Sequence, residues 1–343
     1  PSIFWLILTN SVDSQEFVEA LKIITKNKKV IEKALYCNEF VEEIKKIKTT
    51  RDMKEIFVQY KQRTQNIKLK DLRRQAKEII KESINRLDEE LIWGGDPEFA
   101  AIVNDHYVYA SDYIRNGCRD CIGTDGDSRI LEIRPEPAKT PYELLKNFYK
   151  MLKKNKVTTS EYTKENILNV FDSISSNCQY LPLGGHIHVG GKTKKMISFL
   201  KQNQDTIVME INNLVFDNFY NLSTEERQRS PFMQEALEGK PYGFEYRTPP
   251  SIVWLNPKLM NHTIKLIRTI IAKEYTYQND ITTYYKVERE FNSIINRLKK
   301  YIDKNCHNVD LIREIDTWNL GKYRKEIEKI RDKKQVKTQP ILL

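Results

Sequence analysis

Four segments near the middle of the chain set ionisable side chains at alternate positions among apolar or aromatic neighbours. They are Gly95-Asp96-Pro97-Glu98-Phe99, Leu131-Glu132-Ile133-Arg134-Pro135, Gly185-His186-Ile187-His188-Val189 and Phe244-Glu245-Tyr246-Arg247-Thr248. On a β-strand, side chains two residues apart leave the same face, so each segment predicts a strand with both polar groups on one side. An ordinary strand buries one face and wets the other. Four strands carrying Asp/Glu, Glu/Arg, His/His and Glu/Arg pairs predict a sheet whose polar face lines a cavity. Carboxylates and imidazoles there suit a divalent metal, and arginines suit an anion. That is the equipment of metal-assisted phosphoryl transfer.

A chain of 343 residues can bury one large core or two modest ones. No apolar run approaches the roughly 20 residues of a membrane span, so no membrane partner is expected. The opening Pro1-Ser2-Ile3-Phe4-Trp5-Leu6-Ile7-Leu8 is too short for a span and lacks the basic flank of a signal peptide, and reads as a buried strand or helix start. Five cysteines, an odd number, do not make a disulfide framework, which predicts a reducing compartment, the cytoplasm. The net charge of +10 leaves room for a polyanionic partner. Most of the lysines, however, fall on amphipathic helices, whose solvated faces account for them.

Composition divides the chain. Ser14 to Glu90 is rich in Lys, Glu, Ile and Leu without a Gly or Pro, and predicts a helical N-terminal region over residues 1–90. Within it, Leu72, Ala76, Ile79, Ile80, Ile84, Leu87 and Leu91 recur at intervals of three and four, the mark of a long amphipathic helix. Nearly all the Gly and most of the Pro fall in a core over 91–275. There, Glu98–Val103, a turn at Asn104-Asp105 and His106–Ala110 predict a hairpin. Helices are expected at about Tyr142–Lys154 and Glu161–Ser175, as a pair at Thr193–Gln202 and Asp205–Tyr220, and at Asn256–Tyr275. Tyr284–Tyr301 and Val309–Lys333 read as Lys-rich helix in a C-terminal extension over 276–343. The Ile and Leu stripes of both helical ends must be buried, against each other or on the core. The fold class is α+β.

The segments differ in what they imply alone. Asp96 and Glu98 on one strand face would repel each other unless a cation lay between them; a solvated hairpin edge is the ordinary alternative. Glu132 and Arg134 could be a cross-strand ion pair. The Asp125-Gly126-Asp127 loop before them lacks the spacing of an EF-hand. His186 and His188 lie between Gly184-Gly185 and Gly190-Gly191, which would let backbone approach a ligand and leave the imidazoles clear. Arg247 suits an anion because its guanidinium donates two parallel bonds. Arg227 and Arg229, in a loop upstream, are further phosphate contacts or plain surface. Cys118-Arg119-Asp120-Cys121 could hold zinc with Cys178 or the histidines, but no second Cys-x-x-Cys exists and two incidental thiols are the simpler reading.

The ordered series Gly-x-Asp-Pro-Glu-Phe, Asp-Gly with Glu-x-Arg-Pro, Gly-Gly-His-x-His and Glu-Tyr-Arg-x-Pro resembles the phage-associated carboxylate–amine ligases (amidoligases), a branch of the glutamine synthetase and glutamate–cysteine ligase superfamily. The resemblance covers about Ile92 to Lys273. It implies a curved, mostly antiparallel sheet of glutamine-synthetase-like type with helices packed outside. It implies ATP-dependent amide formation through an acyl phosphate, with Mg²⁺ or Mn²⁺ bridging phosphates and acceptor carboxylate. By motif, Asp96, Glu98, Glu132, His186 and Glu245 correspond to metal ligands, and His188 to the histidine near phosphate or substrate. Arg134 and Arg247 correspond to catalytic arginines facing ATP phosphates, with Arg227 and Arg229 as further nucleotide contacts. Asp96 departs from the Glu of glutamine synthetase itself, a carboxylate one methylene shorter.

The amine and carboxylate substrates, whether free amino acids, peptides, a wall precursor or a protein side chain, are not named by any motif. Asp125 or Asp127 could deprotonate the amine. Phage encoding would place the chain in the cytoplasm of a host cell. Two alternatives stand beside the ligase: a metal-dependent hydrolase using the same cluster without nucleotide, and a non-catalytic structural or nucleic-acid-binding protein on a ligase-like scaffold. The arginines beside the carboxylates favour nucleotide phosphate over simple hydrolysis. Nucleic acid is the lesser of the partners, resting only on the basic helices.

Overall fold

The structure, a computed structural model, describes residues 14–37, 39–47, 49–115, 121–124, 127–154, 156–176, 178, 181, 183–222 and 236–306. The stretch without Gly or Pro forms five helices: α1 (Ser14–Lys26), α2 (Lys28–Ala34), α3 (Phe40–Ile44), α4 (Thr50–Thr64) and α5 (Leu69–Glu90). There follow β1 (Leu91–Gly95), β2 (Glu98–Val103), β3 (His106–Val108), α6 (Ala110–Tyr113), β4 (Ile122–Thr124), β5 (Ile130–Ile133) and α7 (Pro141–Lys154). Next are β6 (Lys156–Thr158), β7 (Lys164–Asn166), α8 (Ile167–Val170), β8 (Ser173–Ser175), β9 (Ile187–Gly191) and α9 (Lys194–Leu222). The last described elements are β10 (Leu237–Lys240), β11 (Gly243–Tyr246), α10 (Ile252–Leu255), α11 (Pro257–Asn279) and α12 (Ile281–Cys306). Among the described residues no helix is long and apolar enough to cross a membrane. The α+β class expected from the sequence is the one observed.

The chain divides into two compact units. One comprises the described residues up to Asn85 together with Ile271–Ile294; the other comprises the described residues of Arg86–Ile270 and those from Ile295 onward. The first is helical. Thr49 starts α4 with a capping box: its hydroxyl accepts from Asp52 N at 3.1 Å, while Asp52 Oδ2 accepts from Thr49 N at 3.0 Å. Ala20, Ile24, Ile31, Phe40, Met53, Phe57 and Tyr60 share a core with Tyr284 and Tyr285, so residues far apart in sequence bury their apolar stripes together. Phe40 meets Tyr60 edge to face at 4.7 Å. Each large apolar side chain fully buried this way contributes about 1.5–3 kcal/mol.

The second unit holds two antiparallel sheets that matter for function. The first runs β1-β9-β11-β10. Its rows are fixed by register: Gly94, His188, Glu245 and Glu238 stand side by side, and two residues along, Ile92, Gly190, Gly243 and Lys240 do the same. The opposite face carries Trp93, Val189, Phe244, Ile187 and Tyr246, all buried. Helix α9 covers that face. Its buried positions Met196, Phe199, Leu200, Asn203, Ile207, Val208, Ile211, Val215 and Phe219 recur every three or four residues. Tyr246 donates its hydroxyl to Asn212 Oδ1 of this helix at 2.8 Å.

In the second sheet β2 pairs with β3, β5 and β8, and β5 with β4. The β2–β3 hairpin forms as the sequence predicts, with Asn104 and Asp105 both at positive φ (50° and 61°). Phe99 of β2 stacks on Phe148 of α7 at 6.2 Å, and Phe148 lies 5.3 Å from Trp254. The four polar segments therefore do not line one sheet. His186–Val189 and Phe244–Arg247 belong to the first, and Glu132 to the second.

Three helix expectations are revised. Glu161–Ser175 is not a helix but β7, the single turn α8 and β8. Its apolar residues have helical spacing, yet Tyr162 sits at φ 64° and Thr159 N bonds Thr163 O at 3.0 Å, closing a β6–β7 hairpin. Further along, Ile174 between two serines alternates as a strand does. Thr193–Gln202 and Asp205–Tyr220 are one helix, because no Gly or Pro separates them and Asn203 bonds back to Phe199 O at 2.8 Å within it. The helix from Asn256 is as expected, with Asn256 Oδ1 accepting from Leu259 N at 3.0 Å and Pro257 at the first helical position. Val309–Lys333 and Pro1–Leu8 lie outside the described residues.

Candidate active site

Pro97 decides how the first motif is used. Asp96 and Pro97 fall between β1 and β2, so the chain leaves the first sheet after Gly95 and enters the second at Glu98. Asp96 and Glu98 consequently do not share a strand face, contrary to the expectation from their spacing. Asp96 stays beside His186, one step past the Gly95–Ile187 pair. Glu98 faces Glu132 directly across the β2–β5 ladder.

On the first sheet the side chains converge. His186 Nδ1 lies 3.2 Å from Asp96 Oδ1 and 3.1 Å from Glu245 Oε1. One ligand atom from each of Asp96, His186 and Glu245 lies within 4.8 Å of the others. His188, in the neighbouring row, puts Nε2 3.2 Å from Asp96 Oδ2 and 3.7 Å from Glu245 Oε2. Asp96 Oδ1 and His188 Nε2 are both buried and make no aligned hydrogen bond. Polar atoms left so are uncommon and costly unless something absent satisfies them. The spacing fits a cation: an octahedral ion with bonds of about 2.1 Å holds neighbouring ligands about 3 Å apart. Burial works to raise the Asp96 carboxyl, but the imidazoles of His186 and His188 outweigh it and hold the group well below the usual carboxylate range.

Two cations border the cluster. Arg247 donates through NH1 to Glu238 Oε2 at 3.2 Å, and its Nε lies 3.4 Å from Glu245 Oε1. Lys240 Nζ reaches Glu245 Oε2 at 2.8 Å and Glu238 Oε1 at 2.5 Å. Burial lowers the Lys240 ammonium, but the two glutamates more than offset it, so it keeps its proton; Lys240 in turn holds Glu238 below its ordinary range. Tyr242, in the turn between β10 and β11, places its hydroxyl 3.0 Å from His188 Nδ1. Burial pushes its phenol up to about 12.

Lys240, Glu238 and Tyr242 were not singled out from the sequence. The signal was present: Glu238-Gly239-Lys240 repeats the alternate-position pattern of the four segments, with three residues between it and Phe244. Its hairpin partner is the Glu245 strand.

The second sheet carries an acidic pair. Glu98 and Glu132 are both buried and opposite in register. Glu98 accepts a hydrogen bond from Gly184 N, and Arg134 donates to Glu132. Of the five residues expected as metal ligands, Asp96, His186 and Glu245 bring ligand atoms together, while Glu98 and Glu132 stand opposite each other on the second sheet, with Arg134 bonded to Glu132. Arg227, Arg229, Cys118 and Asp125 lie outside the described residues. Asp127 turns both oxygens onto Arg129, at 3.0 and 2.6 Å, which holds it below its ordinary range and makes it a poor proton acceptor. Cys121 is exposed, and Cys178 packs among Ala100, Ile130, Leu181 and Leu183.

The glycines around the histidines serve packing as well as access. A side chain at Gly185 would come within 2.4 Å of Pro250 O, and one at Gly191 within 2.7 Å of Ile197 N at the start of α9. Those two positions are closed by neighbouring backbone, which replaces the expectation that they leave room for a ligand.

No curated protein and no solved structure matches the chain. The family described as Phage phiEco32-like COOH.NH2 ligase-type 2 matches residues 93–339, which extends the resemblance well past Lys273 into the C-terminal helices. The alternate-position motifs and this match over most of the chain agree, and the protein belongs to that family of carboxylate–amine ligases.

Proposed function

We propose that the protein joins a carboxylate to an amine at the expense of ATP, through an acyl phosphate, on a curved sheet of glutamine-synthetase-like type. The observation that carries this reading is the convergence of Asp96, His186 and Glu245 with Arg247 on one sheet face. Asp96, His186 and Glu245 would hold Mg²⁺ or Mn²⁺, and the orphaned Asp96 Oδ1 supports that fit. The ion supplies neutralisation of phosphate charge and alignment of the acceptor carboxylate.

The chain's own groups account for the rest. Arg247, at the edge of the cluster, donates to the phosphoryl group in transit, whose charge spreads over its equatorial oxygens. Moving from Glu238 to phosphate would cost it one ion pair and gain a bidentate one. Lys240 is placed to neutralise the same region. Glu98 and Glu132 would be further metal ligands, and Arg134 would face phosphate or substrate carboxylate. Arg227 and Arg229 are retained as further nucleotide contacts. The substrates are a carboxylate and an amine, from an amino acid, a peptide or a protein side chain. A ligase drawing on ATP works in the cytoplasm, that of the host cell for a phage-encoded chain.

The test is ADP release from wild type and Glu245→Gln, with Mg²⁺ and mixtures of amino acids and peptides. The proposal expects ADP from the wild type alone. Equal turnover in the variant would remove Glu245 from the mechanism.

A further inference from the structure

Tyr242 belongs to no polar motif and lies at the tip of a two-residue turn, Pro241-Tyr242, that joins Lys240 to Gly243. The turn is tied to the neighbouring strand, because Gly191 N donates to Tyr242 O at 2.9 Å. From there the phenol ring lies over β9. Its centroid is 6.0 Å from that of His188 with an interplanar angle of 27°, and its hydroxyl is 3.0 Å from Nδ1.

Two glycines flank the pairing. A Cβ at Gly94, beside His188 in the ladder, would approach His188 Cβ at 3.5 Å and its Nδ1 at 3.9 Å. A Cβ at Gly190 would press on Tyr242 Cδ2 at 3.3 Å. Glycine at both places leaves no side chain beside His188 on the β1 side or beneath the Tyr242 ring, and the neighbour of His188 on its other side is Glu245. Among the described residues, His188 Nδ1 has its hydrogen bond with Tyr242. At the far end of the ring, Nε2 is buried against Asp96 and Glu245 without an aligned partner. An imidazole's two nitrogens are coupled: the bond made by one fixes the tautomer and aim of the other.

We infer that Tyr242 is a positioning residue for the reaction, holding His188 by ring contact and by a hydrogen bond at Nδ1 so that Nε2 is aimed into the Asp96–His186–Glu245 cluster. This rests on the function proposed above for the consequence in turnover, but not for the geometry. When the hydroxyl is the donor to Nδ1, the neutral imidazole carries its proton on Nε2, toward Asp96.

The experiment compares wild type with Tyr242→Phe, which keeps the ring and removes the hydroxyl. Nitrogen-15 NMR of histidine-labelled protein reads both ring nitrogens of His188, assigned by their loss in His188→Gln. The measurement is made without nucleotide or metal, then repeated alongside ADP release. The expected result is that the two His188 nitrogen shifts move toward each other as the tautomers mix, while melting temperature stays close to wild type. Turnover should fall roughly 10–100-fold, the usual cost of losing such an orienting partner. Unchanged His188 shifts in Tyr242→Phe would overturn the inference, whatever the activity. Shifted nitrogens in a protein whose wild type releases no ADP would uphold the positioning and sink the ligase reading instead.

Discussion

His188 on β9 and Glu245 on β11 are direct partners in the antiparallel ladder, and the imidazole Nε2 lies 3.7 Å from Glu245 Oε2. Their neighbours in the same row are Gly94 and Glu238, so one line across the sheet carries a space, an imidazole and two carboxylates. A slip of one residue would turn Val189 and Phe244 to this face and send the polar pair into the packing of α9. The site is therefore a property of register, and register is held by the apolar side of the same strands.

Stability should fall in acid through Asp96. Its folded-state pKa is depressed below the ordinary value of about 3.9, so its contribution is fully present above that value and is lost as pH falls toward the folded pKa. Urea unfolding of metal-free protein from pH 6 down to 2.5 should show a shallower loss for Asp96→Asn than for wild type. Parallel curves would mean that the imidazole contacts do not stabilise the carboxylate.

Glu98 should distinguish charge from hydrogen bonding. Glu98→Gln keeps an acceptor for Gly184 N and removes a like charge facing Glu132, so stability should stay level or rise. Glu98→Ala leaves the Gly184 amide unsatisfied and should cost about 1–3 kcal/mol in denaturant unfolding. A larger loss for Gln than for Ala would contradict this assignment.

How much of this was legible beforehand depended on whether local pattern and tertiary pairing agreed. The His186/His188 and Glu245/Arg247 pairs lie on or at the end of true strands, so alternate spacing alone put each pair on one face. Asp96 and Glu98 have the same spacing, but Pro97 falls at a crossing from one sheet to another, a fact of topology that no short window contains. Ser14–Glu90 is legible because neither Gly nor Pro interrupts its periodicity. Glu161–Ser175 misleads because Ile167, Val170, Phe171 and Ile174 satisfy a helical period while β8 is held by pairing with β2. Tyr242 was hidden because a turn residue has no periodicity; only the fold brings it to His188.

Chelation should act on activity and leave folding alone. A ligand set drawn from residues already fixed by their strands does not need the ion to fold, unlike a small zinc domain. A wild-type melting temperature unchanged by a zinc-selective chelator is the expected outcome. A drop of several degrees would favour a structural zinc at Cys118 and Cys121.

Arg247→Lys should separate a ligase from a hydrolase. Lysine keeps the charge near Glu245 and Glu238 but loses the planar fork. ADP release should fall by about 10²-fold, or roughly 2.7 kcal/mol of barrier, with a smaller effect on ATP affinity. Full turnover in the variant would leave Arg247 as an ion-pair partner only.

The central claim is that the sheet face bearing Asp96, His186, Glu245 and Arg247 binds ATP with a divalent ion. Calorimetric titration with ATP, with and without Mg²⁺, on wild type and His186→Ala tests it most directly. The account predicts binding by wild type that strengthens with Mg²⁺, and loss of that Mg²⁺ dependence in a folded His186→Ala. No heat of ATP binding to wild type under either condition would contradict it.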